Sequence, residues 1–232
     1  MNPTTSPNNI QESFDKTLRD TNFQDTTIDI SEITIDSLLK DGILKDIPIV
    51  GTLIHLAKLG TNVRDLLFLK KIISFMNGLK DVSPTERSKM INKIDDSREY
   101  RVKVGEKLLY IIDSCNDYEN SENVSMLFKA YLKGKITYDE FLSGSNIIER
   151  IGSYDLKWFL KNTRESMSVE EVGSLISSGL FDLHYEQIDV SVEDQDDYES
   201  SDRYKTRVNG GETYVTISRV GEIILEVFGK PD

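Results

Sequence analysis

Two histidines and one cysteine are the scarce general-base and nucleophile candidates of this 232-residue chain. His55 sits in the apolar run LIHLAKL and His184 in the strand-like run DLHYEQI. Zinc needs clustered Cys and His ligands, and neither C-x-x-C nor H-E-x-x-H occurs. His55 is therefore expected to be a buried or half-buried structural residue, and Cys115, ending an apolar helix, a small core side chain. Ser143-Gly144-Ser145 and Ser177-Ser178-Gly179 lack the G-x-S-x-G elbow, and no Walker or G-x-G-x-x-G loop exists. Lys129 to Glu140 puts Gly134, Ile136 and Glu140 at positions 6, 8 and 12 of a calcium-loop register. Lys129, Tyr131 and Lys133 stand where a hard dication needs anionic oxygens, so a helix–turn–helix joint is expected instead. No catalytic, cofactor-binding or metal-ligating residue is assigned, no cofactor is expected, and the chain reads as non-enzymatic.

The strongest chemical signal is charge. Twenty-eight basic against 40 acidic residues give a net charge of −12, which repels phosphate backbones and anionic lipid. Residues 45–115 are net +4, whereas 1–44 and 116–232 are net −5 and −11. Residues 182–202 hold nine carboxylates and no Lys or Arg. Such a stretch is expected to be a solvated, mobile wing loop. Its sharper use is as a docking arm for a basic partner or as a nucleic-acid mimic, through Glu186, Asp189, Glu193, Asp194, Asp196, Asp197, Glu199 and Asp202.

The elements that position these residues are mostly helices. Residues 1–41 read as a mostly flexible tail, because the first 25 are polar and cannot alone repay the entropy of ordering. Ile28, Ile30, Ile33 and Ile35 suggest a short strand or helix lead-in. From residue 42 to 151 apolar spacing and capping signals predict a bundle of four to six helices. The clearest runs from Val63 to Gly78. Ser83, Pro84 and Glu86 form a strong helix start, and further helices are expected near 98–115, 122–132 and 138–151.

Beyond Gly152 the pattern changes to helix YDLKWFLKN, a capped helix VEEVGSLISSGLF, strand-like DLHYEQIDVSV, and strand TYVTI leading into a closing helix. Asn209-Gly210-Gly211 has hairpin-turn chemistry. The fold class is thus mainly α, an N-terminal helical bundle followed by a small α+β winged-helix-like module over 152–232 with an acidic insert at 182–202. A DNA-reading helix needs basic or amide side chains, yet Val169 to Phe181 has Glu170 and Glu171 and no cation, so nucleic acid is an unlikely partner. Wing residues Arg203, Lys205 and Arg207 leave a DNA-binding regulator as a weaker alternative.

The segment GILKDIPIVGTLIHLAKL is too short to span a bilayer. With the amphipathic helix after it, residues 42–79 could lie in a membrane interface through Ile47, Ile49, Val50, Leu53, Ile54, Lys70 and Lys71. Packing within the bundle is the simpler expectation. A membrane-perturbing effector is the alternative.

The runs KDIPIVGTLIHLAKLGTNVRDLLFLKKIISFMNGL, VGEKLLYIIDSC, LFKAYLKGKITYDEF and YVTISRVGEIILEVF resemble uncharacterised bacterial and prophage proteins akin to abortive-infection alpha-type proteins. The resemblance spans roughly residues 40–230. It implies a helical N-terminal part, a small mixed C-terminal part and a setting in phage and mobile-element conflict, and it supplies no active-site residues. The expectation is a cytoplasmic protein-interaction or regulatory protein in phage defence or its control, with homo-oligomerisation and peripheral membrane contact possible. One cysteine cannot make an internal disulfide, and the first thirty residues lack signal-peptide regions.

Overall fold

The computed structural model describes residues 7–20, 47–57, 63–194 and 204–229. Helices dominate: α1 (Pro7–Arg19), α2 (Pro48–Ala57), α3 (Val63–Asn77), α4 (Pro84–Asp95), α5 (Val104–Ser114), α6 (Tyr118–Leu132), α7 (Tyr138–Arg150) and α8 (Ser153–Asn162). After them come β1 (Ser166–Ser168), α9 (Val169–Val172), a 3-10 turn (Gly173–Ser177), β2 (Phe181–Tyr185), β3 (Asp189–Asp194), β4 (Tyr204–Asn209), β5 (Thr213–Ile217) and α10 (Arg219–Phe228). The protein is therefore mainly helical with small antiparallel sheets, one of strand order β1-β5-β2 and one made by β3 and β4.

Within the expected tail, residues 7–19 are instead an ordered helix. Ile10, Phe14, Thr17 and Leu18 recur at helical spacing, and the last three are fully buried. Alone, this stripe could not hold a helix. Docked on α2, α4 and α5, it buries apolar surface worth about 25 cal/mol per Å². Arg19 fixes the far end through Asp15 at 2.9 Å and Asp95 at 3.3 Å. Residues 21–46, including the Ile28–Ile35 run, lie outside the described residues.

Thr17 also serves α2, whose first turn starts at a proline. Its hydroxyl accepts from the Ile49 N–H at 3.0 Å and donates to the Ser13 carbonyl at 2.8 Å. An orphan helix donor is thus satisfied by a different helix. Thr17→Val should lower unfolding free energy by about 1–2 kcal/mol in urea titration, since it strands a buried N–H; no loss would mean that α1 does not cap α2.

Rings run through the bundle as one series: Phe14 to Phe75 at 6.2 Å, Phe75 to Phe128 at 5.9 Å, and Phe128 to Phe141 at 5.2 Å. They join α1, α3, α6 and α7. Buried Asn120 adds a polar tie, its amide donating to the Ile148 and Ile151 carbonyls at 3.0 and 3.1 Å. The apolar residues of the C-terminal part, among them Phe181, Val215, Ile223 and Ile224, belong to the same core cluster as the bundle.

Among the described residues three helices start with a reciprocal capping box, at Ser83/Glu86, Thr137/Glu140 and Ser168/Glu171. The second answers the calcium-loop question. Glu140 bonds the Thr137 N–H at 2.8 Å and pairs with Arg219 of α10 at 3.2 Å, while Lys129 and Lys133 face Asp81. Gly134, at φ +69°, turns the chain between α6 and α7. The joint is structural.

These caps set an acid response. The Glu140 carboxyl is held below its ordinary value of 4.5 mainly by the Thr137 backbone N–H, helped by Arg219. A carboxyl depressed in the folded state stabilises the fold above its unfolded pKa, and that contribution is lost as pH falls through the depressed value. Glu140→Gln should therefore be less stable than the parent at neutral pH, the gap narrowing as pH drops below 4.5. A gap independent of pH in paired urea titrations would rule this out. Glu149 has the opposite sign: burial raises its pKa, so its contribution is present at low pH and lost as pH rises through the raised value.

Two helices are shorter than expected. The helix expected from Val169 to Phe181 stops after one turn, because Gly173 adopts φ +52°; a 3-10 turn and the start of β2 take the rest. The helix expected from Arg98 begins only at Val104, where the Asp95 carboxylate accepts the first N–H at 2.8 Å.

Candidate interaction surface

The scarce nucleophile and bases sit in separate elements, Cys115 at the end of α5, His55 in α2 and His184 in β2. Cys115 is 2% exposed, its Sγ donates to the Ile111 carbonyl, and burial pushes its thiol up to about 12. A thiol so raised is no nucleophile near neutrality. His55 is exposed rather than buried, because it falls off the buried stripe that Val50 and Ile54 make along α2. His184 is half-buried, shares a 2.8 Å hydrogen bond with Thr216 and stacks on Tyr214 at 5.2 Å. Among the described residues no group of three or more His, Cys, Asp or Glu side chains is placed to hold a metal ion.

The candidate membrane residues are divided between core and rim. Ile47, Ile49, Val50 and Ile54 are 0–6% exposed, and Leu53 packs against the same cluster. That contradicts their presentation to an interface; α2 buries its apolar length under α1 and α3. Lys70 and Lys71 are half-buried, and Lys71 donates to the Asp113 carbonyl at 2.9 Å. Among the described residues no helix is long and apolar enough to cross a membrane.

The acidic stretch is where surface chemistry and architecture meet. β2 and β5 pair from Phe181↔Ile217 to Tyr185↔Thr213, and β3 and β4 from Asp189↔Asn209 to Asp194↔Tyr204. Both ladders follow one register, so they are two lengths of a single β-ribbon. Between them the Glu186 N–H still donates to the Glu212 carbonyl at 2.9 Å. Residues 182–185 are strand, as the run DLHYEQI suggested, and 189–194 are strand too, within the stretch expected as a solvated loop, because alternating Val190 and Val192 find Val208 and Thr206 across the ribbon.

Asn209-Gly210-Gly211 is correspondingly not the hairpin turn but a joint within the ribbon. Gly210 and Gly211 adopt φ +79° and +84°. A Cβ on Gly210 would lie 2.1 Å from the Gln187 carbonyl oxygen, so only glycine permits this approach.

The joint also changes which residues face outward. In the inner ribbon, Phe181 and Val215 are buried against the bundle. In the outer ribbon the apolar residues fall on the other alternation: Val190 is 57% exposed, Val192 62% and Val208 62%. Ile188 and Tyr185 beside them are exposed too. On the opposite alternation lie Asp189, paired with Asn209, and Ser191, paired with Arg207.

No protein-family model, curated protein or solved structure matches this chain. The surface is therefore characterised by its own geometry. Of the candidate partner-binding residues, Glu186 and Asp189 are exposed beside the valines, and Glu193 and Asp194 stand in β3, in register with Lys205 and Tyr204. Asp196, Asp197, Glu199 and Asp202 lie outside the described residues. The apolar side is what the charge reading missed. Its signal was present in the alternation of IDVSVED and YKTRV.

Proposed function

We propose that this is a cytoplasmic, non-enzymatic interaction protein, a helical bundle whose jointed β-ribbon docks a basic protein partner. The observation that carries the reading is the outer ribbon, where exposed Val190, Val192 and Val208 share one alternation and Asp189 lies on the other. In a well-packed molecule such a contiguous apolar side marks an interaction site. The order helix, strand, short helix, 3-10 turn, strand, ribbon, strand, with β5 between β1 and β2, supports the winged-helix-like assignment that belongs to this proposal. The phage and mobile-element setting implied by the sequence resemblance belongs to it as well.

The alternatives have less behind them. A DNA reader would need cations on Val169–Ser177, which has none and exposes Glu170 and Glu171. A membrane effector would need Ile47, Ile49, Val50 and Ile54 outside the core.

The test is affinity capture from host cells, with and without phage challenge, comparing the full chain with one lacking residues 188–210. That deletion closes the ribbon just beyond the Glu186–Glu212 bond and keeps the inner ladder. A specific partner lost on deletion supports the reading. A partner retained by the shortened chain, or recovery with membranes alone, defeats it.

A further inference from the structure

Among the described residues nothing pairs with the outer edge of β3, and Val190, Val192 and Val208 are exposed. Two strands alone make a marginal sheet in water. Among the described residues β3 pairs only with β4, so its outer edge is a template for another strand. The edges of the ribbon differ in charge. β3 and its approach carry Glu186, Asp189, Glu193 and Asp194, whereas β4 carries Lys205 and Arg207.

A strand laid beside β3 would set alternate residues next to Val190 and Val192, and the intervening ones next to Asp189 and Ser191. We propose that this edge receives an extended segment of a partner protein in which apolar side chains alternate with Lys or Arg. The apolar residues extend the valine side, and the cations meet the carboxylates. The inference rests on the interaction reading above and adds its mode, strand addition. A second copy of this chain is the poorer occupant, because residues 182–202 would bring nine carboxylates against nine with no cation among them.

The experiment is fluorescence anisotropy on the full chain with four short labelled peptides. One alternates valine and lysine, one serine and lysine, one valine and glutamate, and the last is the valine–lysine peptide N-methylated at alternate amides. The valine–lysine peptide should bind at least about tenfold more tightly than each of the others. Val190→Thr with Val192→Thr, which keeps β-branching and hence the strand, should weaken it about tenfold at unchanged circular dichroism. Equal binding of the serine–lysine or N-methylated peptide, or binding of none, overturns strand addition. So does dimerisation of the full chain that the same threonine changes abolish in sedimentation. Should the peptides fail while partner capture still depends on residues 188–210, strand addition falls and the interaction reading survives; should capture also be independent of the arm, both fall.

Discussion

Phe128→Ala should lower the unfolding free energy by about 3–5 kcal/mol, the range for removing a fully buried ring. Phe128 is 0% exposed and meets Phe75, Tyr131 and Phe141 at centroid separations of 5.2 to 5.9 Å. Those rings belong to α3, α6 and α7, so the vacated space opens where three helices converge and no single neighbour can fill it. Domains of this size are stable by roughly 5–15 kcal/mol, so the loss is a large share. Phe128→Leu, which retains most of the volume, should lose much less. Urea titrations of the two variants check this, and a loss below about 1 kcal/mol for alanine would mean that the ring series is not the centre of the core.

Gly210→Ala acts elsewhere and by another cause. An L residue held at φ +79° is strained by about 1–2 kcal/mol, and the added Cβ meets a backbone carbonyl at 2.1 Å. A backbone carbonyl between two ladders cannot swing aside as a side chain can, so the two chain segments must part at the joint. The expected result is amide exchange faster by at least about tenfold in β3 and β4, with β2, β5 and the bundle unchanged. Gly134→Ala is the comparison, since its φ is +69° but nothing lies within 4 Å of the new Cβ; it should show strain alone. Unaltered exchange in β3 and β4 would contradict the joint.

Much of the bundle was legible because its signals are local. Val63–Asn77, Pro84–Asp95 and Tyr138–Arg150 are where apolar spacing and capping residues put them. What was hidden depended on distant partners. Residues 7–19 lack the apolar mass to fold alone, and only contact with α2, α4 and α5 makes their stripe worth ordering. Gly210-Gly211 was read as a turn because a turn and a strand crossing both ask for positive φ, and sequence does not say which carbonyl lies opposite. The carboxylates of the arm were visible by count. Its valine side was present only as an alternation in IDVSVED and YKTRV, because parity in a ribbon gains meaning once the register is known.

Cys115 gives the molecule a built-in gauge. It is the single cysteine of the chain, closed inside the bundle and reluctant to ionise, so a thiol-reactive dye can reach it only when the helices come apart. Dye uptake over time therefore counts excursions of the bundle and is blind to the arm. Phe128→Ala and Gly210→Ala, indistinguishable in a simple yes-or-no folding assay, should separate on this clock, the first running fast and the second keeping the parent's time.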